Sequence, residues 1–172
     1  MEKQDTCKRC VMDITAPEIE FFNDGRCTFC KHYDEVNTKD LFEPSEGEKR
    51  IQSLADKIKK ESKGKKYNCL IGVSGGVDSS YVAYLVKKKL GLNPLALHLD
   101  NGWNSELATA NVENLLNNLD IDLETNVLNW NEFRDIQKSF LKSSITNIEI
   151  PTDHAIWASL AKTASKHNIK YI

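Results

Sequence analysis

With 172 residues, 40% of them hydrophobic and 28% charged, the chain has room for one ordinary domain and a small appendage. Its formal net charge of −2 lacks the basic excess of a dedicated nucleic-acid binder, although it leaves room for a local basic patch. No apolar run approaches the ~20 residues of a membrane span, and "MEKQDTCKRC" carries no hydrophobic signal core, so a cytoplasmic protein with no membrane partner is expected.

Residues 1–40 form a Cys-rich unit with little periodicity, in which Asp24-Gly25 marks a turn before the second cysteine pair. Residues 41–65 follow as a linker and amphipathic helix. Ser45 and Glu48 have capping-box spacing, and Ile51, Leu54, Ala55 and Ile58 recur at helical intervals, which predicts a helix over 46–62. From residue 66 strand and helix patterns alternate. Strands are expected at 67–73, 94–100 and 122–128, and helices at 78–90, 105–118, 131–143 and 152–167. The inner face of the second helix is read as Val82, Leu85, Val86 and Leu90, and that of the third as Leu107, Ala110, Val112, Leu115 and Leu116. The expected fold is α/β, an open and mostly parallel sheet with helices on both faces. "IKYI" opens a fourth strand at the last residues, so 66–172 is expected to be a domain truncated at its C-terminus rather than one ending on a short edge strand.

The stretch "VSGGVDSS" joins the first strand to its helix, at the edge of a parallel sheet where ligands bind. Gly75 and Gly76 allow close backbone approach to an anion, and the N–H groups of 76–80, Val77 among them, lie at a positive helix end. Ser74, Ser79 and Ser80 add hydroxyl donors. Asp78 is suited either to capping the helix or to holding Mg²⁺ beside phosphate. Neither the Walker A pattern nor GxGxxG fits, because Val77-Asp78 stands where Walker A needs Gly-Lys.

Four of the five cysteines, Cys7, Cys10, Cys27 and Cys30, follow the C-x2-C-x16-C-x2-C pattern of a zinc site. Four thiolates close a tetrahedral sphere, so the site is read as structural, with Zn²⁺ ahead of an iron–sulfur cluster. Beyond the second strand, "LDNGWNSE" offers Asp100 for Mg²⁺ or nucleotide, and Asn101, Trp103 and Asn104 for substrate; the competing reading is a turn with Ser105 as helix cap. In "PTDHA", Thr152 is read as N-cap and His154 as the candidate for substrate contact or proton transfer. His32 carries no assignment, and His98 reads as a packed strand residue.

"SGGVDSS" resembles the SGGxDS[ST] signature of the PP-loop ATP pyrophosphatases, the superfamily of GMP synthetase, NAD synthetase, asparagine synthetase and tRNA-thiolating enzymes. That resemblance implies an adenine nucleotide alpha hydrolase-like fold and cleavage of ATP between its α and β phosphates, the loop holding the departing pyrophosphate. Together "CKRCVMDITAPEIEFFNDGRCTFC", "IGVSGGVDSSYVAYL", "LHLDNGWNSELA" and "IPTDHAIWASLAK" resemble the N-acetyl sugar amidotransferase family. The implied activity is ATP-dependent conversion of a sugar acetamido group to an acetamidino group, in bacterial surface-polysaccharide or nonulosonic-acid pathways, in proteins about twice this length. A glutaminase needs a nucleophilic Cys, and Cys69 lies inside a predicted strand, so ammonia is expected from a separate glutaminase subunit. Two alternatives stay open: a tRNA-thiolating enzyme, and an ATP- and metal-binding piece without catalysis.

Overall fold

The structure is a computed structural model and describes residues 5–172. The chain divides into two compact units, Met1–Arg50 and Ile51–Ile172. Helix α2 (Pro44–Glu61) runs across the division.

The first unit is built from two short hairpin bridges, Thr6 with Asp13 and Phe21 with Cys27, followed by helix α1 (Thr28–Asp40). Its buried centre is the cysteines themselves, Cys7, Cys27 and Cys30, with Met12, Ile19 and Phe21 packed around them. Asp34 on α1 accepts from Arg9 at 2.6 Å and from Arg26 at 2.8 Å, so one carboxylate ties both hairpins to the helix. These exposed pairs orient the hairpins more than they stabilise them.

In the second unit, β1 (Cys69–Gly72), β2 (Pro94–Asp100) and β3 (Asp122–Val127) form a parallel sheet in that order. Cys69 lies opposite Pro94, and Leu95 opposite Asp122. Alternation along the strands sends Ile71 and Ala96 to one face, against Ala83 of α3 (Val77–Tyr84) and Val112 and Leu116 of α4 (Glu106–Leu119). Leu70, Leu95 and Leu97 point to the other face, against Leu160 and Ala164 of α6 (Ile150–Lys166). Leu70 and Leu95 are fully buried, each contributing about 1.5–3 kcal/mol by removal from water. Helix α5 (Trp130–Lys142) precedes α6. The expected α/β class, with a parallel sheet covered by helices on both faces, is what forms.

Several details depart from the periodicity. Helix α3 passes into a π-helical turn at Leu85–Lys89, where Leu90 N–H donates to Leu85 O at 2.9 Å. Ala83, Val86 and Leu90 face the core, while Val82, ahead of that turn, is exposed. On α4 the inward stripe is Val112, Leu116 and Leu119, and Leu107 is 72% exposed. Helix α2 starts at Pro44, which suits a first helical position, and this places Ser45 inside the helix instead of at its cap. Of its expected stripe only Ala55 and Ile58 are buried. The last residues do not form a fourth strand, although Leu70 N–H donates to Tyr171 O at 2.9 Å beside β1. Among the described residues no helix is long and apolar enough to cross a membrane.

Candidate active site

All three strands end at one edge of the sheet, and the 73–76 loop leaves β1 there. Gly75 has φ +82°, and a Cβ at this position would lie 2.3 Å from the backbone oxygen of Ala108 on α4. Only glycine combines that conformation with so close a helix. Asn111 Nδ2 of the same helix donates to Gly75 O at 3.3 Å. Gly76 is the extended N-cap of α3, and no side chain caps that end, which removes the capping role considered for Asp78. Gly76 N–H donates to Ser74 Oγ and Ser80 N–H to Gly76 O. The first-turn N–H groups of Val77, Asp78 and Ser79 therefore stay without an intrahelical acceptor, fewer than the five anticipated.

Ser79 Oγ accepts from Ser74 N–H and donates to Gly76 O, both at 3.2 Å, so the serine hydroxyl fixes the loop's curvature. Ser74 and Ser79 line a cavity of about 330 Å³ together with Asn101, Asn104 and Thr152. Val77, Asp78 and Ser80 lie outside its lining, Ser80 Oγ turning back to Gly76 O at 2.8 Å. Asp78 is exposed on the first turn of α3.

Asp100 and Asn101 close the turn after β2. Asp100 Oδ1 accepts from Gly102 N–H at 3.0 Å, and Asn101 Oδ1 accepts from Trp103 N–H at 3.1 Å. Gly102 has φ +82° and lies against the Trp130 ring, 2.5 Å from where a Cβ would sit. Asp100 borders a hollow on the α4 side of the sheet and not the loop cavity, because alternation turns it away from Leu97 and Leu99. Ser105 caps α4, its Oγ accepting from Ala108 N–H at 3.1 Å. The turn reading of "LDNGWNSE" matches this geometry, and Asn101 and Asn104 also border the cavity.

His98 is packed in β2 as expected, and its ring nitrogens also bridge two segments. It is buried, its Nδ1 is 2.8 Å from Val73 O, and its Nε2 is 3.2 Å from Asn104 Nδ2. A carbonyl only accepts, so Nδ1 carries the proton and Nε2 accepts from the amide. The imidazole thereby couples the loop's first carbonyl to Asn104 across two strands. Truncating His98→Ala takes the imidazole from Val73 O, while Asn104 Nδ2 keeps Asp100 Oδ1 at 3.2 Å, and urea unfolding is expected to register a loss of about 1–3 kcal/mol.

Helix α6 starts at Ile150 because Pro151 belongs in a first turn, so Thr152 sits inside the helix and not at its cap. Its Oγ1 is buried without a hydrogen-bond partner at the cavity wall. His154, two residues on, lines a separate groove with Phe133, Phe140 and Ala155. The structure does not bring His154 to the loop.

In the first unit, the Sγ atoms of Cys7, Cys10, Cys27 and Cys30 all lie within 4.8 Å of one another, with Cys7–Cys30 and Cys10–Cys27 at 3.7 Å. A tetrahedral ion with 2.3 Å bonds to sulfur requires edges of about 3.8 Å, so the thiols fit one metal ion. A polynuclear cluster interposes bridged irons and holds its thiolates farther apart. Cys10 N–H and Arg9 N–H point at Cys7 Sγ and, against burial, hold that thiol down to about 6. Cys69 contrasts with these. It packs against Ala55 and Ile58, and burial pushes its thiol up to about 11.

The family model for NAD synthase matches residues 47–150, more than half of the chain and the whole of the loop, the turn and the sheet. The chain belongs to the NAD synthase family. Its PP-loop ATP pyrophosphatase character therefore stands. A GMP synthase (glutamine-hydrolyzing) of Pyrobaculum aerophilum is 30% identical to this NAD synthase family chain over 62% of it, and an uncharacterized protein of Methanocaldococcus jannaschii is 36% identical over 44%. The chain spans 20% and 26% of those relatives' lengths. NMN synthetase from Francisella tularensis matches the fold with a TM-score of 0.50 and 25% identity, over 74% of this chain and 52% of that one.

Proposed function

We propose that the protein is an AMP-forming, ATP-dependent amidotransferase acting on an N-acetyl sugar. The observation that carries this reading is the Ser74–Ser79 loop, held open by Gly75 against α4 at the mouth of a cavity, in a chain of the NAD synthase family. The first-turn N–H groups of α3 and the hydroxyls of Ser74 and Ser79 would hold the departing pyrophosphate, and a distant lysine has no part in that task. Mg²⁺ would be bound through phosphate oxygens and water, with Asp78 as the assigned carboxylate and Asp100 acting through the turn.

In the reaction the acetamido oxygen attacks the α-phosphorus, the α–β bridge breaks, and pyrophosphate leaves. Ammonia then adds to the activated carbon, the C–O bond to AMP breaks, and loss of a proton gives the acetamidino group. An amide oxygen leaves poorly, and adenylation makes it a good leaving group. Asn101 and Asn104 would orient the acceptor amide, Asn104 being aligned by His98. His154, remote from the loop, is left to a contact outside this step.

Cys69 is buried with a raised thiol, which suits neither glutaminase chemistry nor a sulfur-carrying thiolase; this supports ammonia delivered by a separate glutaminase subunit, with thiolation the weaker reading. The glutamine-hydrolyzing character of the Pyrobaculum relative is in keeping with ammonia drawn from glutamine. We assign residues 1–40 to a Zn²⁺ module, 41–65 to a helical linker and 66–172 to the ATP domain, working in the cytoplasm. Pyrophosphate release measured with ammonia plus an acetamido sugar nucleotide, with tRNA, and with neither tests this. Release that depends on the sugar is expected; release that depends on tRNA, or none in any arm, would overturn it.

A further inference from the structure

A second cavity, of about 580 Å³, adjoins the loop cavity and shares Asn101 and Thr152 with it. Its other walls include Trp103, Trp130, Arg134, Gln137, Lys138 and Glu149. We propose that this hollow is the acceptor site, and that it takes a ring compound bearing an anionic group, the ring on Trp103 and the anion on Arg134 and Lys138. From the preceding reading the proposal borrows only that a nucleotide occupies the loop cavity.

Trp103 is 65% exposed, yet it is not loose. Its Nε1–H donates to Gln137 Oε1 at 2.7 Å, and its ring meets Trp130 edge to face with centroids 5.3 Å apart. Gly102 permits that arrangement by leaving room for the Trp130 ring. An indole fixed at its edge and open on its face is a preorganised surface for the CH face of a sugar or for a planar ring. Burial of its own side chain does not account for this geometry.

Arg134 and Lys138 are four residues apart on α5, one helical turn, so their charged ends can grip one anion between them. Both are exposed, and no salt bridge engages either among the described residues. Two unneutralised cations beside fixed aromatic rings favour a phosphate ester or a carboxylate. Glu149 is the single carboxylate of the lining and can accept from ring hydroxyls. At the wall common to both cavities, Thr152 Oγ1 is buried and unpartnered, a donor and acceptor available to a ligand spanning the two.

Binding tests this without turnover. Tryptophan fluorescence and calorimetry would follow N-acetylglucosamine 1-phosphate, glucuronate, neutral N-acetylglucosamine and an RNA trinucleotide, on the wild type and on R134Q/K138Q. Melting temperatures would confirm that this exposed double variant is folded. At least one of the two anionic sugars is expected to bind, and to bind the double variant about tenfold or more weakly, with ATP affinity unchanged. Preference between the two assigns the anion as phosphate or carboxylate. Equal binding by wild type and double variant, neutral sugar binding as tightly as the better-binding anion, or the trinucleotide binding most tightly would each overturn the assignment. If ATP binds normally while sugar binding ignores Arg134 and Lys138, the acceptor site falls and the loop reading stands. If the sugar anion depends on both cations but ATP does not bind, the reverse holds.

Discussion

Gly75→Ala is expected to lower AMP-forming turnover on the order of a hundredfold, the scale of a 1 Å displacement of reacting groups. A methyl group there meets the backbone of Ala108, 2.3 Å from its oxygen, and the position also requires φ +82°. Backbone cannot step aside as a flexible side chain can, so the loop itself must shift. Its shift moves Ser74 Oγ, and with it the N–H of Gly76 and the contact to Ser79. The donors for pyrophosphate then no longer converge, and donors aimed at developing charge dominate this kind of step. Gly47→Ala is the matching control. It lies in α2 with nothing near its would-be Cβ, and it should raise stability by up to about 1 kcal/mol without touching turnover. Steady-state kinetics beside thermal melts separate the two effects, and equal turnover in the two variants would show that the loop's curvature is immaterial.

Cys27→Ser is expected to collapse the first unit. Cys27 is fully buried, serves as the N-cap of α1 and sits 3.7 Å from Cys10 Sγ, so no other donor can take its place. The unit's buried centre is little more than its cysteines and three apolar neighbours, far too small to hold a fold without a metal. The prediction is zinc affinity reduced by more than about a hundredfold and loss of amide dispersion over residues 5–40, while signals from the sheet persist. Cobalt substitution in the wild type should give the spectrum of a tetrahedral tetrathiolate. A variant that keeps stoichiometric zinc and a dispersed spectrum would contradict the structural role.

What the sequence made legible follows from what each signal depends on. β2 emerges over 94–100 as expected because its apolar run is bounded by Pro94 and by Asn101-Gly102. The cysteine spacing likewise predicts the four-thiol cluster, since two CxxC turns need little else to converge. The loop's glycines and serines announced their position, but not that Gly75 abuts Ala108 or that Asn111 holds it. Those facts come from where α4 crosses. Phase was the weak point: Ala83 and not Val82 is buried on α3, and the π-helical turn after Tyr84 is invisible to a 3.6-residue period. His98 looked like packing because its partners, Val73 and Asn104, belong to different segments. Arg134 and Lys138 carried no assignment from the sequence, because the hollow they share with Asn101 and Trp103 joins α5 to a turn some thirty residues earlier.

Which bond of ATP is cut decides between an AMP-forming enzyme and a γ-phosphate transferase. With ATP labelled at the α-phosphate and supplied with ammonia and an acetamido sugar nucleotide, the label is predicted to appear in AMP, with unlabelled pyrophosphate released in equal amount. Label recovered in ADP alongside inorganic phosphate would contradict it.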